Sequence, residues 1–105
     1  MTNIVMSDMA EHDLEQIGDY ICYELQNQQA ALATVRQIKM SINRLIDFPF
    51  LGMSLASIAQ CDTDYRFVVC GNYLAFYRTD GNTVLVDRVL YHRRDYISAL
   101  FSRPQ

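Results

Sequence analysis

The sequence has 105 residues, of which 50% are hydrophobic, and a formal net charge of −3. This length suits one domain with a hydrophobic core, so we expect residues 1–105 to fold as a single unit. The negative charge excludes a protein that binds nucleic acid through its overall charge. No segment is long and apolar enough to span a membrane, and the first residues lack the pattern of a signal peptide. We therefore expect a cytoplasmic protein.

The charges are unevenly distributed along the chain. Residues 1–60 carry seven acidic and three basic side chains, whereas residues 61–105 carry six arginines and five aspartates. This asymmetry indicates two surfaces with different roles, although an acidic, solvent-exposed helix face explains the first half equally well.

Three cysteines, Cys22, Cys61 and Cys70, form an odd set without the spacing of metal ligands. In a reducing compartment such residues usually act as small buried hydrophobic side chains. We expect no bound metal and no cofactor.

A short apolar segment at Asn3–Met6 predicts an N-terminal strand, and a helix is predicted directly after it. Apolar residues recur every three or four positions from Ala10 to Leu25, as on the buried face of a helix. Ser7 and Asp8 are both candidates for the N-cap. Asp8 with a glutamate three residues later fits a capping box.

A second helix is predicted after the polar residues 26–29. Its apolar stripe runs from Ala31 to Leu45, and Pro49 ends it because a residue that precedes proline avoids the helical region. The two stripes should pack against each other and against a sheet, as a helical hairpin.

Residues 50–63 are predicted to form an irregular surface loop. Three strands should follow at Arg66–Cys70, Tyr73–Arg78 and 83–91, joined by turns at Gly71-Asn72 and at residues 79–82. The strands are apolar on both faces, which places them in the middle of a sheet with helices on one side. Residues 95–101 could form a short final helix.

Several motifs occur in a fixed order along residues 4–96. They read Ala-x-x-Asp-Leu-x-x-Ile-x-x-Tyr-Ile at 10–21, Leu-x-x-Phe-Pro-x-x-Gly at 45–52, Tyr-Arg at 65–66, Asn-Tyr-x-x-Phe-Tyr at 72–77, and Arg-Val-Leu-Tyr-x-Arg-Arg-Asp-Tyr at 88–96. This ordered set resembles the RelE/ParE superfamily of toxins from bacterial type II toxin–antitoxin systems. The resemblance implies an α+β fold in which an N-terminal strand precedes a helical hairpin. The hairpin packs on a mostly antiparallel four-stranded sheet, and a short C-terminal helix follows.

The resemblance also implies a toxin that arrests bacterial growth and is neutralised by a cognate antitoxin. The antitoxin should wrap across the helical hairpin and the basic end of the sheet as an extended or helical segment. RelE-like members cut mRNA on the ribosome, whereas ParE-like members poison DNA gyrase and are not nucleases. A non-toxic binding module is a further alternative.

In a RelE-like enzyme, cations would stabilise the phosphorane charge while a base and an acid move protons, without a metal ion. On the resemblance, the catalytic residues would be Arg66, His92, Arg94 and Tyr96. His92 can titrate in the required range, and Tyr96 has a position suited to stacking on a base.

Two further positions favour the ParE-like branch. Val68 and Leu74 stand where a RelE-like enzyme would present additional cations, and the long helical hairpin is also more typical of ParE-like toxins. In that branch no residue is catalytic. The target would be bound by Arg66, Arg93 and Arg94, and the sequence assigns no antitoxin-binding residues.

The same arginines also have purely structural interpretations. Arg66 could be an exposed residue at the start of a strand, and Arg88 could pair with Asp87 or near Asp80. Of the adjacent Arg93 and Arg94, one could join a functional face while the other pairs with Asp95 or with an acid on the helices.

Overall fold

The computed structural model describes residues 2–59 and 62–101, so the prediction for Cys61 lies outside the described residues. The elements in chain order are β1 (Asn3–Met6), α1 (Asp8–Asp19), a π-helical segment (Tyr20–Glu24), α2 (Gln28–Asn43), a 3₁₀ turn (Arg44–Ile46), β2 (Met53–Ser54), α3 (Ala56–Ala59), β3 (Arg66–Cys70), β4 (Tyr73–Asp80), β5 (Thr83–Tyr91) and α4 (Tyr96–Phe101). No helix in these ranges has the length and apolar character needed to cross a membrane.

Helix α1 begins at the predicted place, but the cap is Ser7. The Ser7 hydroxyl oxygen accepts a hydrogen bond from the Ala10 amide at 2.9 Å. Asp8 lies inside the first turn, so the capping box predicted for Asp8 and Glu11 is wrong. Both acids still lie in the first turn, where a negative charge interacts favourably with the helix dipole.

The α-helix changes to a π-helical segment at Tyr20. The Leu25 amide donates to the Tyr20 carbonyl five residues earlier, at 3.3 Å, and Gln26 then takes a positive φ of 51°. The extra residue in this turn breaks the predicted apolar stripe. Ile21 remains buried, but Leu25 is 56% exposed.

Helix α2 is capped by Asn27, whose side-chain oxygen accepts from the Ala30 amide at 2.9 Å. Its stripe faces the core as predicted, with Ala31, Ile38 and Ile42 buried and Leu45 buried in the following 3₁₀ turn. The two helices contact each other and the same face of the sheet, which confirms the helical hairpin.

The sheet has five strands in the order β1-β5-β4-β3-β2, one more than predicted. Strand β1 is parallel to β5, and the other pairs are antiparallel. The additional strand, Met53–Ser54, lies inside the segment that was predicted as a loop. It pairs with Phe67 and Arg66 of β3. Two residues are too few to show the alternation that identifies a strand in a sequence.

Both faces of the sheet are covered, not one as expected. The helical hairpin covers one face, where Tyr77, Val84 and Val86 are buried. On the other face, α4 and Leu55 pack over a second apolar cluster that includes Phe76. The apolar character of the strands on both faces follows from these two layers.

Asp13 and Arg88 join α1 to the last strand. The Arg88 guanidinium donates to both carboxylate oxygens of Asp13, at 2.8 and 3.0 Å. Asp13 also accepts from the Val89 amide at 3.0 Å. Strand β1 pairs with β5 only up to Val86, so the Val89 amide has no partner on β1. The Asp13 carboxylate accepts its hydrogen bond instead. The prediction that Arg88 pairs with Asp87 or near Asp80 is therefore wrong.

Asp87 is the extra residue of a bulge in β5, since Phe76 pairs with Arg88 while Tyr77 pairs with Val86. Its carboxylate accepts from the Tyr65 hydroxyl at 2.7 Å and from Arg78 Nε at 3.2 Å. Burial and this hydrogen bond to Asp87 raise the pKa of Tyr65 to about 12.

Candidate functional site

The chain that leaves β5 is fixed to the turn between β3 and β4. The His92 amide donates to the Asn72 carbonyl at 2.9 Å, and His92 Nδ1 lies 2.9 Å from the same oxygen. The Arg94 amide then donates to the Tyr91 carbonyl at 2.9 Å. These bonds position Arg93 and Arg94 at the end of the sheet where β5 finishes.

Three tyrosines lie at this same end. Tyr73 and Tyr91 are paired across β4 and β5, with ring centroids 5.8 Å apart in an edge-to-face arrangement. Tyr20, the first residue of the π-helical segment, approaches from the helical side. The pKa of Tyr73 is raised, first by burial and then by the neighbouring Tyr91 and Tyr20. All three side chains line the same groove.

Arg94 completes a groove of about 330 Å³ with these tyrosines and with Gln16 of α1. The exposed Arg93 is not among the residues that line this groove. Neither arginine forms an ion pair within residues 2–59 and 62–101. Asp95, the expected partner, instead accepts from the Ser98 amide and hydroxyl at 3.2 and 2.9 Å, and these hydrogen bonds lower its pKa.

Arg66 lies apart from this cluster. Its guanidinium donates to the Gly52 carbonyl at 2.9 Å and lies 5.2 Å from the centre of the Phe50 ring. Arg66 is at the far end of β3 from the Gly71-Asn72 turn. Cys70, beside that turn, is four residue steps along the strand from Arg66, a distance of roughly 13 Å. The structure therefore places the three predicted target-binding arginines at two locations.

The predicted catalytic set is likewise divided. His92 and Arg94 are near neighbours, but Tyr96 belongs to α4 on the second face of the sheet. Its ring packs against Phe76 with centroids 5.4 Å apart, so one face of the ring is not open for stacking. Val68 and Leu74 are both buried, at 8% and 9% exposure.

Two features of the site were missed in the sequence. No role at the site was predicted for Tyr20 or Tyr91, which are 55% and 43% exposed. One signal was available in the sequence. Ile21 belongs to the buried apolar stripe, so its neighbour Tyr20 could have been predicted to face outward. The presence of all three tyrosines in one groove depends on the π-helical segment, for which the sequence carries no recognised signal.

Comparisons with known proteins agree with the resemblance seen in the sequence. The family model described as "ParE toxin of type II toxin-antitoxin system, parDE" matches residues 4–96. A solved structure titled "Chromosomal ParDE TA system from P. aeruginosa" superposes with a TM-score of 0.72 at 19% sequence identity. The superposition covers 87% of this chain and 96% of that one. No curated protein matches the sequence.

Proposed function

The chain belongs to the ParE toxin family of type II toxin–antitoxin systems, and on that premise we propose that it acts on DNA gyrase. Family membership makes it the toxin component of such a system, with a cognate antitoxin as its partner. The gyrase target, and the cytoplasm as the place of action, are parts of the proposal.

The choice of target rests on one observation. The residues that RNA cleavage would need do not lie together in the structure. Arg66 is hydrogen-bonded to Gly52, and Tyr96 packs on Phe76. Val68 and Leu74 place buried aliphatic side chains where the superfamily's ribonucleases have cations. Metal-independent cleavage requires charges gathered around one phosphate, so this arrangement favours a toxin without nuclease activity.

We propose that the target is bound at the end of the sheet that carries Arg93 and Arg94. Both side chains are exposed, and the backbone around them is fixed through Tyr91 and Asn72. Arg66 contributes less in this proposal, because its guanidinium already contacts Gly52 and Phe50.

The test is to express the chain with and without its antitoxin and to follow growth, supercoiling by gyrase and mRNA integrity in the same culture. We expect growth arrest only without the antitoxin, loss of supercoiling by gyrase, and intact mRNA in the first minutes. Purified protein should inhibit supercoiling directly. Prompt cleavage of ribosome-bound mRNA with unaffected gyrase would overturn the proposal and favour the RelE-like alternative, and unchanged growth would favour the non-toxic module.

A further inference from the structure

The groove between Tyr20, Tyr73, Tyr91 and Arg94 gathers hydrogen-bond donors without protein acceptors. Within residues 2–59 and 62–101, none of the three phenol hydroxyls donates to a protein atom. Tyr20 and Tyr91 are 55% and 43% exposed, and the half-buried Tyr73 has no buried polar side-chain atom without a partner, so its hydroxyl reaches solvent. Arg94 forms no ion pair in the same ranges. A guanidinium and three phenols in one groove form a site for a negatively charged oxygen group.

The one carboxylate that lines the groove does not cancel this charge. Asp13 is 6% exposed, and its oxygens already accept two bonds from Arg88 and one from Val89. Its negative charge is paired with Arg88, whereas Arg94 forms no ion pair in the described part of the chain.

The backbone change at Tyr20 supplies part of this site. A regular α-helix is more stable than a π-helical segment, and such segments occur frequently at functional sites. Here the segment leaves Tyr20 55% and Tyr23 73% exposed at the tip of the hairpin. Exposed tyrosines next to an arginine have the composition of a protein-binding hot spot.

We propose that this groove binds the carboxylate of an acidic side chain on a protein partner, with Arg94 as the charged contact and the phenols as hydrogen-bond donors. A nucleic acid fits less well, because Arg94 is the one cation among the described residues that line the groove. A single cation on a chain with a net charge of −3 does not match a continuous row of phosphates. The identification of the partner as the toxin's target depends on the proposed function, whereas the carboxylate site itself does not.

The direct test is an NMR titration of the purified protein with N-acetylglutamate N-methylamide, which carries a single side-chain carboxylate. The glutamine analogue is the neutral control. We expect shifts at the groove residues with the carboxylate probe only, and about tenfold weaker binding or more in Arg94→Gln. Tyr91→Phe removes one hydroxyl and should weaken binding several-fold. Arg36→Gln makes the same charge change at an exposed position of α2 outside the groove and should bind the probe within about twofold of the original chain.

Equal losses in Arg36→Gln and Arg94→Gln would overturn the proposal, as would equal binding of the neutral analogue or no shifts at the groove. If a single-stranded oligothymidylate bound more tightly than the carboxylate probe, and if Arg94→Gln lost this binding, the groove would be assigned to nucleic acid instead. All substituted positions are exposed, so far-UV circular dichroism should verify an unchanged fold.

A second measurement connects the groove to the toxin's target. Arg94→Gln should raise the concentration needed to inhibit gyrase supercoiling about tenfold, with the exposed Arg36→Gln on α2 as a control that retains the original value. If Arg94→Gln inhibited gyrase supercoiling at the same concentration as the original chain, the groove would not take part in target binding. If the original chain does not inhibit gyrase, the proposed function fails, and the titration alone decides whether the carboxylate site exists.

Discussion

Replacement of Asp13 by leucine should destabilise the protein severely, because it leaves a charge buried without its partner. The Arg88 and Asp13 side chains are only 15% and 7% exposed, so solvent cannot screen the remaining guanidinium well. Removal of one member of a buried ion pair typically costs about 3–5 kcal/mol. The loss of an acceptor for the Val89 amide contributes to that cost.

The double variant Asp13→Leu/Arg88→Met separates the charge from the shape of the site. It replaces both charged side chains by apolar ones, which leaves the Val89 amide without its acceptor and removes the 3.4 Å hydrogen bond from Arg88 to the Ala99 carbonyl. We expect it to lose about 1–3 kcal/mol, less than the single Asp13→Leu variant. The two substitutions should therefore be strongly non-additive.

Urea unfolding followed by far-UV circular dichroism measures both free energies, and it suits a chain that contains no tryptophan. The protein would be purified with its antitoxin, separated from it in denaturant and refolded before the measurement. A single variant that loses less than about 1 kcal/mol would refute the reasoning. So would a double variant whose loss equals the sum of the single losses within about 0.5 kcal/mol.

Three further predictions concern the stability of other parts of the fold. The pKa of Tyr65 is raised from 10.0 to about 12, so the protonated Tyr65 stabilises the fold fully below pH 10, and this stabilisation should be lost as the pH rises through 12. The Tyr65→Phe variant should lose less unfolding free energy over this pH range than the original chain. An equal loss would contradict the assignment. Gly52→Ala should lower the melting temperature strongly, because a Cβ there would lie 2.7 Å from the Phe67 carbonyl oxygen and from the Tyr77 ring. A Cβ at Gly81 would have no atom within 4 Å, so Gly81→Ala measures the cost of the positive φ alone. Gln26→Gly should stabilise the protein by about 0.5–1 kcal/mol in urea unfolding, because Gln26 has a φ of 51° that glycine adopts without strain; a loss of stability would indicate that the glutamine side chain contributes to the turn.

The sequence was sufficient for the parts of the fold that depend on local patterns. The N-terminal strand was predicted with its correct bounds, Asn3–Met6, and the helical hairpin and β3–β5 followed from periodicity and turn residues. The order of motifs also identified the toxin superfamily, which the family model confirms over residues 4–96.

The errors have physical causes that local patterns do not contain. The partners Asp13 and Arg88 are 75 residues apart, and no periodicity reports which distant acid a strand arginine will meet. Arg66 and Arg94 both follow from the family motifs, but their separation is set by the register of β3, β4 and β5. The predicted roles of Arg66, Arg93, Arg94, His92 and Tyr96 remain predictions, since the geometry describes their positions and not their activity.

The pairing of β1 with β5 determines when this protein can finish folding during its synthesis. Ser7 Oγ donates to the Asp87 carbonyl 80 residues later in the chain, and Asn3 pairs with Thr83. At typical rates of 5–20 residues per second, the ribosome needs roughly 4–16 s to make that interval. Throughout this time Ile4 and Met6 lack the strand beside them, so the sheet cannot be completed. A protein built in this way remains incompletely folded, and accessible to a binding partner, until nearly all of its sheet has been translated.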